Sequence, residues 1–202
     1  MSEQGWNMLN KNKRGVMKKL NDYSGEFLPE LEFSDFSSRT LTELLALYCK
    51  LYMALDGFWY LTVKERVGNE EALACDIQTW GRHCKYEMTK ITKQLNIRGD
   101  DVVAVMKDIQ ITPWLRQTQF RIELKNHNNA MLTVTYCPTL DALEKEGEGR
   151  EYEICHIVDR KAFKEYASFF NPDIAVKCLK LPPRKSKDEI CCQWEFNLAV
   201  KR

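Results

Sequence analysis

The chain has 202 residues, enough for one well-packed domain and too few for two of ordinary size. Lys and Arg number 30 and Asp and Glu number 29, so the net charge is +1 and no bulk field attracts nucleic acid or an anionic membrane. We therefore expect a locally recognised partner, with neither nucleic acid nor a membrane among the partners.

Residues 1–15 are polar and show no apolar stretch like that of a secretory signal, which predicts a cytoplasmic protein. The most hydrophobic segment, residues 41–63, is interrupted by Glu43, Lys50 and Asp56 and therefore does not suit a membrane span. In a reducing compartment the eight cysteines are expected to be buried thiols, ligands or nucleophiles rather than disulfides.

The predicted organisation is an N-terminal arm, residues 1–36, followed by a single α+β domain, residues 37–202. A capping-box sequence at Thr40–Glu43 predicts the start of a long amphipathic helix that runs to Val67. Its apolar face is expected to lie partly in the core. An alternative interpretation makes this face, residues 41–63, the surface of a homodimer.

A second helix is predicted from Asn69 to Leu95, because Gly68 can end the first helix and Asn69 can cap the next. The short turn makes these two helices antiparallel neighbours. A shorter helix follows at about residues 101–109.

From Gln119 the apolar period changes to two, which predicts a β-hairpin over residues 119–136. A helix capped by Asp159 follows, and a second hairpin is expected from residues 173–181 and 189–200. The predicted fold class is therefore α+β. A helical hairpin and a short helix pack on a four-stranded antiparallel sheet built from two hairpins with an intervening helix.

Three cysteines fall at the ends of these elements, where side chains from different elements can converge: Cys137, Cys155 and Cys192. A helix N-terminus lowers a thiol pKa, so Cys155 is the candidate nucleophile, with His156 as a proton donor or acceptor. Cys192 is expected to face inward, unlike Cys191. Two alternatives remain: plain packing of the thiols, or a zinc or iron site formed by Cys137, Cys155, His156 and Cys192.

Asp56 is an unusual carboxylate, because it borders the apolar face of the first helix beside Gly57 and within one turn of Tyr52 and Trp59. These three side chains, Asp56, Tyr52 and Trp59, are candidate ligand-binding residues that would hold an amine or an aromatic hydroxyl. The alternative is a structural carboxylate paired with a basic or hydroxyl group at the core margin.

A second polar stripe runs along the next helix, where Asp76, Trp80, His83 and Glu87 recur at helical spacing. Metal binding by these residues would require a second acidic helix, which the sequence does not provide. We therefore expect a solvated or ion-paired edge.

Several short motifs carry a family resemblance, and it spans roughly residues 41–196. They are Ala54–Trp59, Gly68, Cys137-Pro138, Cys155 with Asp159, and Cys192-Gln193-Trp194-Glu195-Phe196. With these motifs the chain resembles an uncharacterised family of prokaryotic cytosolic proteins. That family is itself similar to the L-2-amino-thiazoline-4-carboxylic acid hydrolase family and, more distantly, to vinyl-reductase-like small-molecule-binding domains.

The resemblance implies helices packed on an antiparallel sheet and a buried small-molecule pocket lined by the cysteines. As a hydrolase of C–N bonds in a small amino-acid-like heterocycle, the protein would use Cys155 to attack an amidine or imine-like carbon. As a binding module, it would hold a ligand or soft metal in the same pocket without turnover.

Overall fold

The computed structural model describes residues 19–199, which form two compact units divided between Tyr48 and Cys49. The first half of the predicted N-terminal arm, residues 1–18, lies outside the described residues. So does Val200, the predicted end of the last strand. The first helix runs through the point of division.

In the first unit, the residues ahead of the long helix are held by backbone contacts. Leu20 and Phe36 form an isolated parallel bridge, and Phe33–Asp35 forms a single turn of 3-10 helix. The ammonium group of Lys19 donates a hydrogen bond to the carbonyl of Ser34. These contacts give the second half of the predicted arm a defined conformation.

Helix α1 spans Ser38–Val67 and begins earlier than the predicted capping box. The Ser37 hydroxyl accepts a hydrogen bond from the Thr40 amide at 3.3 Å, which satisfies a free N–H of the first turn. Glu43 instead pairs with Arg39 at 2.9 Å. The predicted cap at Thr40 is therefore wrong by one turn.

The apolar face of α1 is more exposed than the sequence predicts. Leu51, Leu55 and Phe58 are 53%, 70% and 68% exposed. Among the described residues of α1 only Tyr60 is fully buried. The expectation that this face lies in the core therefore holds only for the side of the helix that carries Tyr60.

Gly68 separates α1 from α2, Asn69–Leu95, with a φ of 97° that favours glycine. Helix α3 spans Val102–Ile109, and the Asp101 carboxylate caps it by accepting from the Ala104 amide at 2.9 Å. A short helix, α4, follows at residues 113–116.

Four strands form one antiparallel sheet in the order β1-β2-β4-β3. They are β1 Gln119–Asn126, β2 Asn129–Tyr136, β3 Ile174–Lys180 and β4 Cys192–Leu198. Each outer strand pairs with the inner strand that follows it in the chain, β1 with β2 and β3 with β4, as in two hairpins. The predicted α+β fold class is confirmed.

One face of the sheet meets the helices in a core of aromatic and aliphatic side chains. Leu132, Trp194 and Phe196 are fully buried on the two central strands. The ring of Phe163 stacks against Trp194 with 4.4 Å between centroids. This packing fixes the helix that carries Phe163 over the centre of the sheet.

The segment between the hairpins contains more helix than expected. Helix α5 spans Pro138–Glu146, and a continuous helical run follows as α6 Arg150–Glu153, a π-helical turn Ile154–Val158, and α7 Asp159–Phe170. Asp159 therefore lies inside this run, and its predicted role as an N-terminal cap is wrong. No helix of the described residues has the length and apolar character needed to cross a membrane.

Candidate functional site

A cavity of about 470 Å³ lies within the second unit, between its helices and the edge of the sheet. Its wall combines acidic groups, thiols and aromatic rings. The lining residues that carry these groups are Asp56, Tyr60, Asp76, Trp80, Trp114, Cys137, Glu146, Arg150, Cys155, Asp159, Phe163, Tyr166 and Cys192. The volume suits a small organic molecule.

The three cysteines at element ends all line this cavity. Cys137 precedes α5 and accepts a hydrogen bond from the Leu140 amide at 3.4 Å. Cys155 lies in the π-helical turn, and Cys192 opens β4. Their proximity could be predicted from the sequence, because strand ends and the adjoining helix meet at one edge of a sheet.

The environment of the thiols differs from the expected one. Cys155 lies inside a helical run, and burial raises the pKa of its thiol, as does the charge of Asp159. Cys137 is the cysteine at a helix start, yet burial raises its pKa to about 12, although the Leu140 amide lowers it. Burial also raises the pKa of Cys192. The thiols are therefore neutral at pH 7, and the predicted activation of Cys155 by a helix N-terminus is wrong.

His156 does not line the cavity with the three cysteines. Its Nε2 lies 2.7 Å from the Pro182 carbonyl, and its ring stacks on Tyr152 with 4.3 Å between centroids. Across residues 19–199, no three His, Cys, Asp or Glu side chains are grouped as metal ligands. The predicted zinc or iron set of Cys137, Cys155, His156 and Cys192 is therefore not assembled.

The two neighbouring cysteines of the last strand have different surroundings. Cys191 is buried outside the cavity, where its Sγ lies 3.5 Å from both the Thr135 carbonyl and an Arg184 nitrogen. Cys192 lines the cavity. Only the second of the pair is placed to meet a ligand.

Of the three predicted ligand-binding residues on α1, only Asp56 lines the cavity. Burial raises the pKa of Asp56 to about 6, while His83 and Trp80 lower it. Tyr52 instead shares a hydrogen bond with His83 at 2.6 Å. Trp59 lies on a separate surface groove with His83. The helical wheel placed these three residues near one face of the helix. It could not show that Asp56 lines the cavity while Trp59 lies on the surface groove.

The two ends of the polar stripe of α2 are buried, which corrects the expectation of a solvated edge, while the contact between His83 and Glu87 agrees with the ion-paired alternative. Asp76 is 3% exposed and lines the cavity, and burial raises its pKa to about 7, helped by the charge of Asp56. Glu87 is 6% exposed and accepts a hydrogen bond from the Tyr166 hydroxyl. His83 lies 3.5 Å from Glu87. The stripe thus borders a cavity at one end and the core at the other.

Two functional groups of the cavity were not among the predicted site residues. Asp159 lies one helical turn from Cys155, and burial raises its pKa to about 7 although a hydrogen bond from the Cys155 thiol lowers it. Arg150 is bound to Glu146 at 2.6 Å and lies over the ring of Tyr60. The four-residue spacing of Cys155 and Asp159 was the available signal for the first.

The arrangement leaves the cavity with acids that have no basic partner. Within residues 19–199, no ion pair joins Asp56, Asp76 or Asp159 to a basic side chain, whereas Arg150 is already paired with Glu146. A buried carboxylate without a partner either takes up a proton or binds a cation. The cavity can therefore supply protonated acids, carboxylates and neutral thiols to a bound molecule.

Residues 31–198 match the model of a family of unknown function, DUF6125. No curated protein and no solved structure matches the chain.

Proposed function

The chain belongs to this family of unknown function, and we propose that it is a small-molecule-binding protein whose ligand occupies the cavity of the second unit. The observation that carries the proposal is that Asp56 and the three cysteines, which lie far apart in the sequence, all line one cavity. Its volume, about 470 Å³, lies within the range of small-molecule sites.

Aromatic walls and a few polar groups are the usual composition of such sites. Trp80, Trp114 and Phe163 supply apolar surface, and the carboxyl groups of Asp76 and Asp159 supply polar contacts at its margin. Within residues 19–199 no ion pair is formed with these carboxyl groups, so a ligand that supplies a cation gains binding energy.

Two helical glycines provide a matched test of this proposal. Gly57 lines the cavity and Gly81 does not, and a Cβ at either position would meet nothing within 4 Å. Gly57→Leu should narrow the cavity, whereas Gly81→Leu makes the same chemical change on a neighbouring helix.

The measurement is thermal unfolding in the presence of a library of small organic molecules. We expect compounds that raise the Tm of the parent protein and of Gly81→Leu, because ligands stabilise only the state that binds them. The same compounds should lose most of this effect on Gly57→Leu. The proposal fails if no compound stabilises the parent, or if stabilisation survives fully in Gly57→Leu.

A hydrolase acting through a cysteine is the second candidate, and the pairing of Cys155 with Asp159 favours it. Asp159 accepts a hydrogen bond from the Cys155 thiol, so it is the group placed to take the proton of that thiol. Sγ of Cys155 would then bond to an amidine or imine-like carbon while Asp159 holds the proton. Transfer of this proton to the departing nitrogen, followed by attack of water on the carbon, would release the product and restore the thiol.

This candidate is tested with L-2-amino-thiazoline-4-carboxylic acid, the substrate named by the family resemblance. Consumption of the compound should be abolished in Cys155→Ser and fall at least about a hundredfold in Asp159→Asn, since general acid–base catalysis contributes roughly 10² to 10⁴. Cys178→Ser is the matched control, because Cys178 lies on β3 outside the cavity. Equal rates in Cys155→Ser and the parent would contradict the hydrolase mechanism.

A further inference from the structure

Two acidic side chains from different helices line the cavity and interact electrostatically. Asp56 on α1 and Asp76 on α2 both line it, and the charge of Asp56 acts on Asp76. Both also interact with Trp80. An indole has a single N–H donor, so Trp80 can satisfy only one of the four carboxyl oxygens.

The basic groups nearby do not neutralise this pair. Arg150 donates to Glu146 through Nε at 2.8 Å and through a second nitrogen at 2.6 Å. Its guanidinium also lies 4.5 Å from the centre of the Tyr60 ring. Its positive charge is therefore already engaged, although it is close enough to lower the pKa of Asp76.

The remaining charged and titratable neighbours are few. His83 acts on Asp56, and Asp56 in turn acts on the Tyr52 hydroxyl. On the other side Asp159 adds negative charge near Asp76. The site consequently combines excess negative charge with aromatic walls.

We propose that Asp56 and Asp76 together bind the protonated amine of the cavity's ligand, whose ring or apolar body packs against Trp80 and Tyr60. The inference rests on the proposed function and adds the chemical class of the ligand. An ammonium group has three N–H donors and one positive charge, which two adjacent carboxyl groups can accept. Aromatic faces also attract cations, so the wall favours the same group.

The experiment compares 2-phenylethylamine with 2-phenylethanol, which have nearly the same size and differ in charge. At pH 8 both carboxyl groups are largely ionised, because their pKa values are about 6 and about 7. Calorimetric titration of the parent protein should show the amine binding at least about tenfold more tightly than the alcohol, the strength of a hydrogen-bonded ion pair.

Asp76→Asn should remove this preference, whereas Asp188→Asn, the same change at an exposed position, should leave it intact. A readout on the parent protein does not depend on the folding of a variant. Between pH 8 and pH 5 the carboxyl groups gain protons while the amine stays charged, so the amine should lose its advantage and the alcohol should not change.

Each outcome bears on a separate claim. Equal affinity for amine and alcohol at pH 8 would overturn the amine site, while binding of the alcohol would still support a small-molecule cavity. A preference that survives in Asp76→Asn or at pH 5 would also overturn it. If neither compound binds, the amine site is rejected, and the glycine variants with the wider library decide separately whether the cavity binds any molecule.

Discussion

Helix α2 carries a buried acid at each end of its polar stripe, and the two have different surroundings. Asp76 faces an open cavity and has no basic partner among the described residues. Glu87 is held in the core by Tyr166 and lies beside His83. Burial alone therefore does not mark a binding site. A core acid that is hydrogen-bonded within the protein is not available to bind a ligand.

Asp108, on α3, sharpens this contrast. It is fully buried, and both of its carboxyl oxygens lack a hydrogen-bond partner. Burial raises its pKa to about 7, and the charge of Glu87 acts in the same direction. Asp108 lines neither the cavity nor the surface groove that carries Trp59, so protonation rather than a ligand is what removes its buried charge.

The largest effect is expected from Asp108→Asn. A carboxyl group whose folded pKa is raised from 3.8 to about 7 destabilises the fold progressively as pH rises from about 4 to 7. The variant lacks this charge, so relative to the parent it should gain about 2 to 4 kcal/mol of unfolding free energy between pH 4 and pH 8. Urea unfolding at both pH values measures the gain. An identical difference at the two pH values would mean that Asp108 is stably charged in the fold.

Tyr166→Phe should have a smaller effect, in this case a loss of stability. It tests how much buried Glu87 depends on its hydrogen bond from the Tyr166 hydroxyl. The hydroxyl of Tyr166 donates to Glu87 and accepts from the Trp114 indole at 2.9 Å. Its removal should lower the unfolding free energy by about 1 to 3 kcal/mol, because Glu87 stays buried without this donor. Tyr86→Phe, at a residue that is 61% exposed, is the control in the same urea experiment. Equal losses in both variants would show that the core acid does not depend on Tyr166.

Asp56→Asn should change stability little, because Asp56 borders the cavity and no ion pair holds it. At pH 4, where Asp56 is mostly protonated in the fold, we expect the unfolding free energy to stay within about 1 kcal/mol of the parent. Amine binding should nonetheless weaken. A loss well above 2 kcal/mol in urea unfolding would instead assign Asp56 to a structural pair that its removal leaves unsatisfied.

The smallest effect is expected on the exposed face of α1. Leu55 is 70% exposed, so Leu55→Gln should alter the unfolding free energy by no more than about 0.5 kcal/mol. Measuring at several protein concentrations also tests the homodimer alternative. A dimer through this face would give the parent a concentration-dependent stability that the variant lacks.

Local patterns predicted the sheet well, because an apolar period of two indicates both a strand and the face of the sheet on which its apolar side chains lie. Leu132 and Val134 alternate in sequence and both are buried in β2. Helix α5 was not predicted, although Pro138 at its first position and Gly147 just after its end are the expected signals. Only Cys137 separates the end of β2 from this helix start, which leaves no loop to mark the boundary in the sequence.

The site was harder to predict because its residues are defined by a volume rather than by a pattern. The carboxylate of Asp159 could either cap a helix or act as a base. Only the continuity of the helix across residues 154–158 excludes the capping role. Likewise Asp56 and Trp59 are separated by one turn, but they face different surfaces. A helical wheel gives the angular position of a side chain around the helix axis, but it does not show which part of the protein that side chain faces.

The π-helical turn at Ile154–Val158 sets the rotational phase of the helical run. Arg150, Ile154, Val158, Ala162 and Tyr166 all line the cavity at intervals of four residues. In an uninterrupted α-helix each such step overshoots a full turn by about 40°, so these side chains would spiral through about 160°. One wide turn accommodates the equivalent of an extra residue and takes back about 100° of that rotation. This correction of phase keeps the lining residues nearer to one side of the helix. A regular α-helix of the same length would turn Arg150 away from Tyr166, whereas deletion of the one extra residue would leave their relative orientation unchanged.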